Sequence, residues 1–459
     1  MTRTLCVEVC NLTGDTMEII VDSKSTTVQG VKLLVAERWQ IPPLCQELVL
    51  KDLVLNDGDL LKEHCAGCVS MSLSLVTSHA RALAALASDN RDAKLEALSA
   101  LMKTPTSQDD SVVASISMLL TDPLNSLDFD LKYKALKALE SLAKRGDAHA
   151  IAGVSSCLKS RWLLNHRAHL KAFRSLTRSA LGVLSVISPQ GDETAVSAVC
   201  AVLENQNVDA RLRCASLKLL SQISAHGDMR AAIFASEFLQ DRDAVVRQVA
   251  VRIFTELTPK AHFMGDTSAV DAVSSLLAHK NEDVRCSAVK ALTQVVAKSD
   301  PHTIAAVGQH VGHRDAGVRQ TAVQALLALS CQGDVCAMAA LYAHLETGDP
   351  GVRHTALWGV SQMAAPGDMH SILIACKHLE HTDVGVRQTA LTALTKLASE
   401  GSGCVMLELG KLLENREAAV REVAVKALFH VAPQGHEDAA ALFRKCLRDV
   451  DGRVREAAL

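Results

Sequence analysis

The chain has 459 residues, is 48% hydrophobic and 22% charged, and carries a net charge of −3, the balance of a soluble folded protein. That length allows about three ordinary domains, or one repeat array that grows without closing a single core. There is no basic stripe of the kind that binds nucleic acid, no run near the roughly eighteen apolar residues that cross a membrane, and the fourteen cysteines read as reduced thiols.

Leu5, Val7 and Val9 alternate with polar neighbours, a turn follows at Leu12-Thr13-Gly14-Asp15, and Met17, Ile19 and Val21 alternate again. This predicts a β-hairpin. From Thr27 the period changes, and Val28, Val31, Leu34 and Val35 share one helical face. Ile41-Pro42-Pro43 ends that helix, because proline cannot continue it. Short strands are expected around Leu48-Val49-Leu50 and over Met71–Leu75.

Beyond residue 80 the pattern D-x-x-V-R-x-x-A-hydrophobic recurs. It is clearest as Asp315, Val318, Arg319, Ala322, then Asp349, Val352, Arg353, Ala356, then Asp383, Val386, Arg387, Ala390. The arginine returns every 34 residues at Arg285, Arg319, Arg353, Arg387, Arg421 and Arg455. A fixed period of this length marks a solenoid. Each Asp is expected to cap a first helix, and the small residue three after the arginine lets helices approach. A Gly-Asp about fifteen residues after the arginine, as at Gly333-Asp334 and Gly367-Asp368, ends the first helix and caps the second. Four extra residues near Pro259-Lys260-Ala261-His262 stretch one copy. The last copy, Asp451 to Leu459, stops inside its first helix and is expected to be incomplete.

The arginine falls in the first turn of a helix, where the dipole disfavours a cation. An Asp–Arg ladder is therefore expected along one edge, joining Asp315, Arg319, Asp349, Arg353, Asp383, Arg387 and Arg421, with a structural and not a catalytic role. His310, His344 and His378 recur at one point of the second helices, and His302, Cys336, His370 and Cys404 form another row. Equivalent points on stacked helices lie about 8–10 Å apart, too far to share one metal. No metal or other cofactor is expected, and the first row is expected to be exposed. Trp358 stands where the other copies have Lys290, Gln324, Thr392 and Lys426, so it and the histidines form a candidate partner surface.

The first segment resembles ubiquitin. The likeness rests on Leu12-Thr13-Gly14 in the first turn, Thr27-Val28-Gln29-Gly30-Val31-Lys32 at the helix start, Ile41-Pro42-Pro43 after it, and Asp57-Gly58 before Leu61. It implies a β-grasp domain over residues 1–77 and an apolar partner patch that includes Leu12 and Val49. Ser74 stands where that patch expects an aliphatic residue, and the strand runs into Val76-Thr77-Ser78-His79 without the Gly-Gly that conjugation requires.

The remainder, 80–459, resembles HEAT repeats, most closely the short Ala-rich kind of phycobilisome-lyase-type and related scaffold proteins. That implies an all-α solenoid of about ten hairpins. P-loop, GxSxG and HExxH motifs are absent. The repeated His-Glu pairs by which a HEAT-like hydroxylase family holds iron shrink here to His436-Glu437. The expectation is a non-enzymatic scaffold or adaptor of the cytosol or nucleus. Its partners would be proteins, ubiquitin-pathway components among them, with neither nucleic acid nor membrane. The rival readings are a structural subunit with the head as N-terminal cap, and a bilin-lyase-like enzyme.

Overall fold

The computed structural model describes residues 4–65, 68–104, 109–122, 128–159, 170–205, 207–225, 227–258, 267–398, 403–432 and 437–459. The stretched copy at Pro259–His262 and the His436 of the His-Glu pair lie outside them. The chain divides into two units, Met1–Ala225 and His226–Leu459, each described by itself. No helix among the described residues is long and apolar enough to cross a membrane.

The first unit opens with a five-stranded mixed sheet: β1 (Thr4–Asn11), β2 (Thr16–Asp22), β3 (Gln46–Leu50), β4 (Leu53–Val54) and β5 (Ser70–Thr77), in the order β2-β1-β5-β3-β4. β1 pairs antiparallel with β2 and parallel with β5. Alternation puts Leu5, Val7, Val9, Leu73 and Leu75 on one face, where helix α1 (Val28–Trp39) covers them with Val28, Val31 and Val35. Thr27 caps α1 by accepting from the Gly30 N–H, and the helix ends at Gln40 in a left-handed conformation. The short helix α2 (Leu61–His64) adds Leu61 to this core. Sheet, helix and turns lie where the alternation and the prolines put them.

A short helix, Ala80–Ala87, follows and packs against Arg91–Leu101, with which it forms the first hairpin. In the first unit the first helices are Arg91–Leu101, Phe129–Leu142, Leu170–Ile187 and Ala210–Ile223, and the second helices are Asp110–Thr121, Ala148–Lys159 and Glu193–Glu204. The second unit runs from the second helix Met229–Glu237 through Ala244–Leu257, Glu282–Val295, Ala316–Leu329, Pro350–Met363, Val384–Leu397 and Ala418–Val431 as first helices, to a short helix Gly452–Ala457.

The caps fall where the motif puts them. Asp315, Asp349 and Asp383 accept from the backbone N–H groups of Val318, Gly351 and Val386. The copies with Asn281 and Asn90 at this position cap in the same way, whereas Glu417 makes no side-chain cap bond.

The Gly-Asp turns also tie repeats together. Gly146, Gly191, Gly333 and Gly367 have φ between +77° and +89°. Their N–H groups donate to Ile187, Ile223, Met363 and Leu397 at 2.7–2.8 Å. Each acceptor closes the first helix of the next repeat and is a carbonyl that its own helix leaves unpaired. Ser299 takes the same place with φ +63° and donates to Leu329. A Cβ on Gly367 would meet nothing within 4 Å. Gly367→Ala should therefore cost only the left-handed backbone penalty, about 1–2 kcal/mol, read as a lower urea midpoint; an unchanged midpoint would mean the turn relaxes freely.

Candidate docking surfaces

The motif arginines do not pair with the motif aspartates as expected. Arg319 donates through Nη1 to the carbonyls of His313 and Arg314, both at 3.0 Å, and through Nε to the Thr355 hydroxyl at 3.4 Å. Arg285 repeats this with His279, Lys280 and Thr321, and Arg387 with His381 and Thr382. Those carbonyls close the preceding second helix, whose negative dipole end supplies the counter-charge. The Asp–Arg ladder is thus corrected to an arginine–carbonyl ladder. Asp315, Asp349 and Asp383 are caps; the Val318 amide first, then the Gly317 amide and the charge of Arg285 in the preceding repeat, hold Asp315 below the usual carboxylate range. In the second unit, motif arginines form carboxylate pairs at Arg247–Asp283, 3.0 Å, and at Arg421, which grips both oxygens of Asp449 at 2.8 Å. Among the described residues Arg353 reaches the Gly348 carbonyl alone, at 3.3 Å.

The first histidine row is not an exposed row. His378 is only 6% exposed, with Nε2 3.4 Å from the Leu345 carbonyl and Nδ1 2.9 Å from that of Ile374. His344 Nε2 lies 3.1 Å from the Gly308 carbonyl, and a Cβ on Gly312 would stand 2.8 Å from its ring. His310 is half-buried, and burial, then His313, holds its pKa below the usual value. Glycines in one repeat thus make room for a histidine that staples the next, a packing role that spacing alone does not reveal.

The second row is more open. His302 pairs with Asp271 at 2.8 Å, His370 stacks edge-on against Tyr342 at 4.8 Å, and Cys336 and Cys404 are exposed. All fourteen cysteines are free thiols, and burial pushes Cys376 up to about 11. Trp358 is half-buried on its helix, where Lys290, Gln324, Thr392 and Lys426 are exposed.

Around these rows the second helices carry an aliphatic stripe. Val335 is 81% exposed and Leu407 68%, with Met369 and Leu373 also open to solvent. Val335 and Met369 occupy one repeat position, Leu373 and Leu407 another, 34 residues apart in each case. Lys377–Glu346 and Lys445–Glu414 pairs at 2.8 and 2.7 Å cross between repeats nearby.

In the sheet domain, Val49 and Ser74 are direct cross-strand partners on the outward face. Leu12 stands just past the end of β1 and is 78% exposed. The domain also holds a trio that no sequence motif singles out. Ligand atoms of Asp59, Glu63 and His64 converge to within 4.8 Å of one another, the one such group among the described residues.

A family model described as HEAT repeats matches residues 235–327, 270–361 and 372–459. No curated protein matches the sequence. Among solved structures, an engineered protein is 18% identical, with 83% of this chain and 97% of that one covered and a TM-score of 0.29. The karyopherin Kap121p is 14% identical over 82% of this chain and 44% of its own, with a TM-score of 0.38. Its complex with the SUMO protease Ulp1p gives 14%, 82%, 44% and 0.39. This chain spans less than half the length of Kap121p.

Proposed function

We propose that the chain is a protein-binding scaffold, with a head over residues 1–77 and a HEAT array over 80–459. The array holds a client protein along its second helices. The head, through its likeness to ubiquitin, docks a component of the ubiquitin pathway at Leu12 and Val49. The aliphatic stripe of Val335, Met369, Leu373 and Leu407 carries this reading. Side chains of this size gain about 1.5–3 kcal/mol each when buried, and a run of them at repeat spacing suits an apolar segment lying across several hairpins. Chemical crosslinking of the full chain in cell extract should recover a partner that the Leu373→Asp/Leu407→Asp variant loses at unchanged helicity. Recovery of the same partner by both would remove the stripe from the function.

A second reading has its own observation. Asp57 of the sheet domain is held by Arg81 of the first following helix, which favours the head as a cap on the first hairpin. One stoichiometric assembly among the crosslinked partners supports that reading, proteasome or ligase subunits the first, and a chromoprotein the bilin-lyase alternative.

A further inference from the structure

The outward face of the head sheet is acidic at its centre and aliphatic at its margins. Alternation turns Cys6, Glu8 and Cys10 of β1, Glu18 and Ile20 of β2, Ser70, Ser72 and Ser74 of β5, and Glu47 and Val49 of β3 away from the core. The described outward positions on these strands carry carboxylates and no Lys, Arg or His. Lys24 and Lys51 lie in the turns at the two edges. Glu8 and Glu18 are exposed and directly opposite each other. Like charges so placed destabilise a sheet.

The rows of this face are regular. Ile20 pairs with Cys6, Glu18 with Glu8, and Ser74 with both Cys10 and Val49, which in turn faces Val54. Ile20 is 75% exposed, and Val54 is open as well. Successive rows are two residues apart along a strand, about 6.8 Å. One helical turn of four residues rises about 6 Å, so a helix lying along β1 meets one row with every fourth side chain.

We propose that this face binds a cationic amphipathic helix of a partner protein. An aliphatic side chain at position i sits on Ile20 and Cys6, Lys or Arg at i+4 on Glu8 and Glu18, and a second aliphatic at i+8 between Cys10 and Ser74, with Val49 on the next strand. The cation relieves the Glu8–Glu18 repulsion, and the flanking aliphatics cover the apolar ends. The inference rests on reading the head as a docking element, and its residues are separate from the Leu373 and Leu407 stripe that tests the array.

The test is fluorescence anisotropy with the full chain and two labelled, Ala-based helical peptides. Both carry Leu at i and i+8; one has Arg at i+4, the other Glu. The Arg peptide should bind and weaken with added salt. Glu8→Gln/Glu18→Gln should weaken it by about tenfold, as the loss of two exposed charge contacts does. The same variant should melt no lower than the native chain, because it removes a like-charge pair. Equal binding of the Glu peptide, or unchanged affinity of the double variant, would overturn the proposal.

Discussion

Asp57→Ala should weaken the head by about 3–5 kcal/mol, because it strands a buried charge. Lys32 is 1% exposed, and its ammonium lies 2.7 Å from Asp57. No other partner of that ammonium is present among the described residues. Arg81 binds both oxygens of the same carboxylate at 2.7 Å, so one substitution breaks the core pair and the tie to the first hairpin together. Hydrogen exchange along α1 reads the effect, with protection of Val28–Val35 falling by about two to four orders of magnitude. Lys32→Met is the informative partner. It removes the buried charge and leaves Asp57 to Arg81, so it should be close to neutral. A large loss in Lys32→Met, or none in Asp57→Ala, would show that the pair is not what holds α1 in place. Burial raises the Asp57 pKa, but the bonds from Arg81 and Lys32 outweigh it and leave the carboxyl below its usual value. A depressed carboxylate stabilises fully above its unfolded pKa of about 4 and loses that contribution as pH falls through the folded value. The head should therefore hold constant stability from neutral pH to about 5 and loosen in stronger acid.

Much of this architecture is legible in local spacing. The cap four residues before each arginine, the small residue three after it and the left-handed glycine are decided within one repeat. Asp315, Ala322 and Gly333 consequently stand where the pattern places them. What the spacing does not show is what one repeat presents to the next. Arg319 finds carbonyls because its guanidinium swings back to the end of the preceding second helix. His378 is buried because a neighbouring repeat covers it. Likewise, the alternation of β1 and β2 places Glu8 and Glu18 outward, but only the register makes them partners. Asp59, Glu63 and His64 are visible in the sequence as a D-x-x-x-E-H run, yet only the fold of α2 turns all three inward on one another.

The arginine ladder gives the sharpest contrast between spacing and structure. In the repeat pattern Arg319 and Arg353 are equivalent, and an ion-pair ladder would make both matter through Asp349 or Asp383. The structure separates them. Arg319 is buried and makes two charge-assisted bonds to carbonyls plus one to Thr355. Its Nη2 also packs at the start of the next first helix, 2.8 Å from where a Cβ of Gly351 would stand. Arg319→Ala leaves the His313 and Arg314 carbonyls without that donor, and bonds to a charged group contribute about 1.5–3 kcal/mol each. A loss of about 2–4 kcal/mol is expected once water has entered to satisfy part of the site. Arg353 is half-exposed with one long bond to Gly348, and Arg353→Ala should cost under about 1 kcal/mol, as at an ordinary surface site. Urea denaturation of the two variants decides the order. A double-mutant cycle of Arg319 with Thr355→Val should show coupling of about 0.5–1.5 kcal/mol, and the same cycle with Asp349→Ala should show little, because Asp349 is spent on the Gly351 amide. Equal losses at Arg319 and Arg353, or coupling to Asp349 in place of Thr355, would restore the ion-pair ladder.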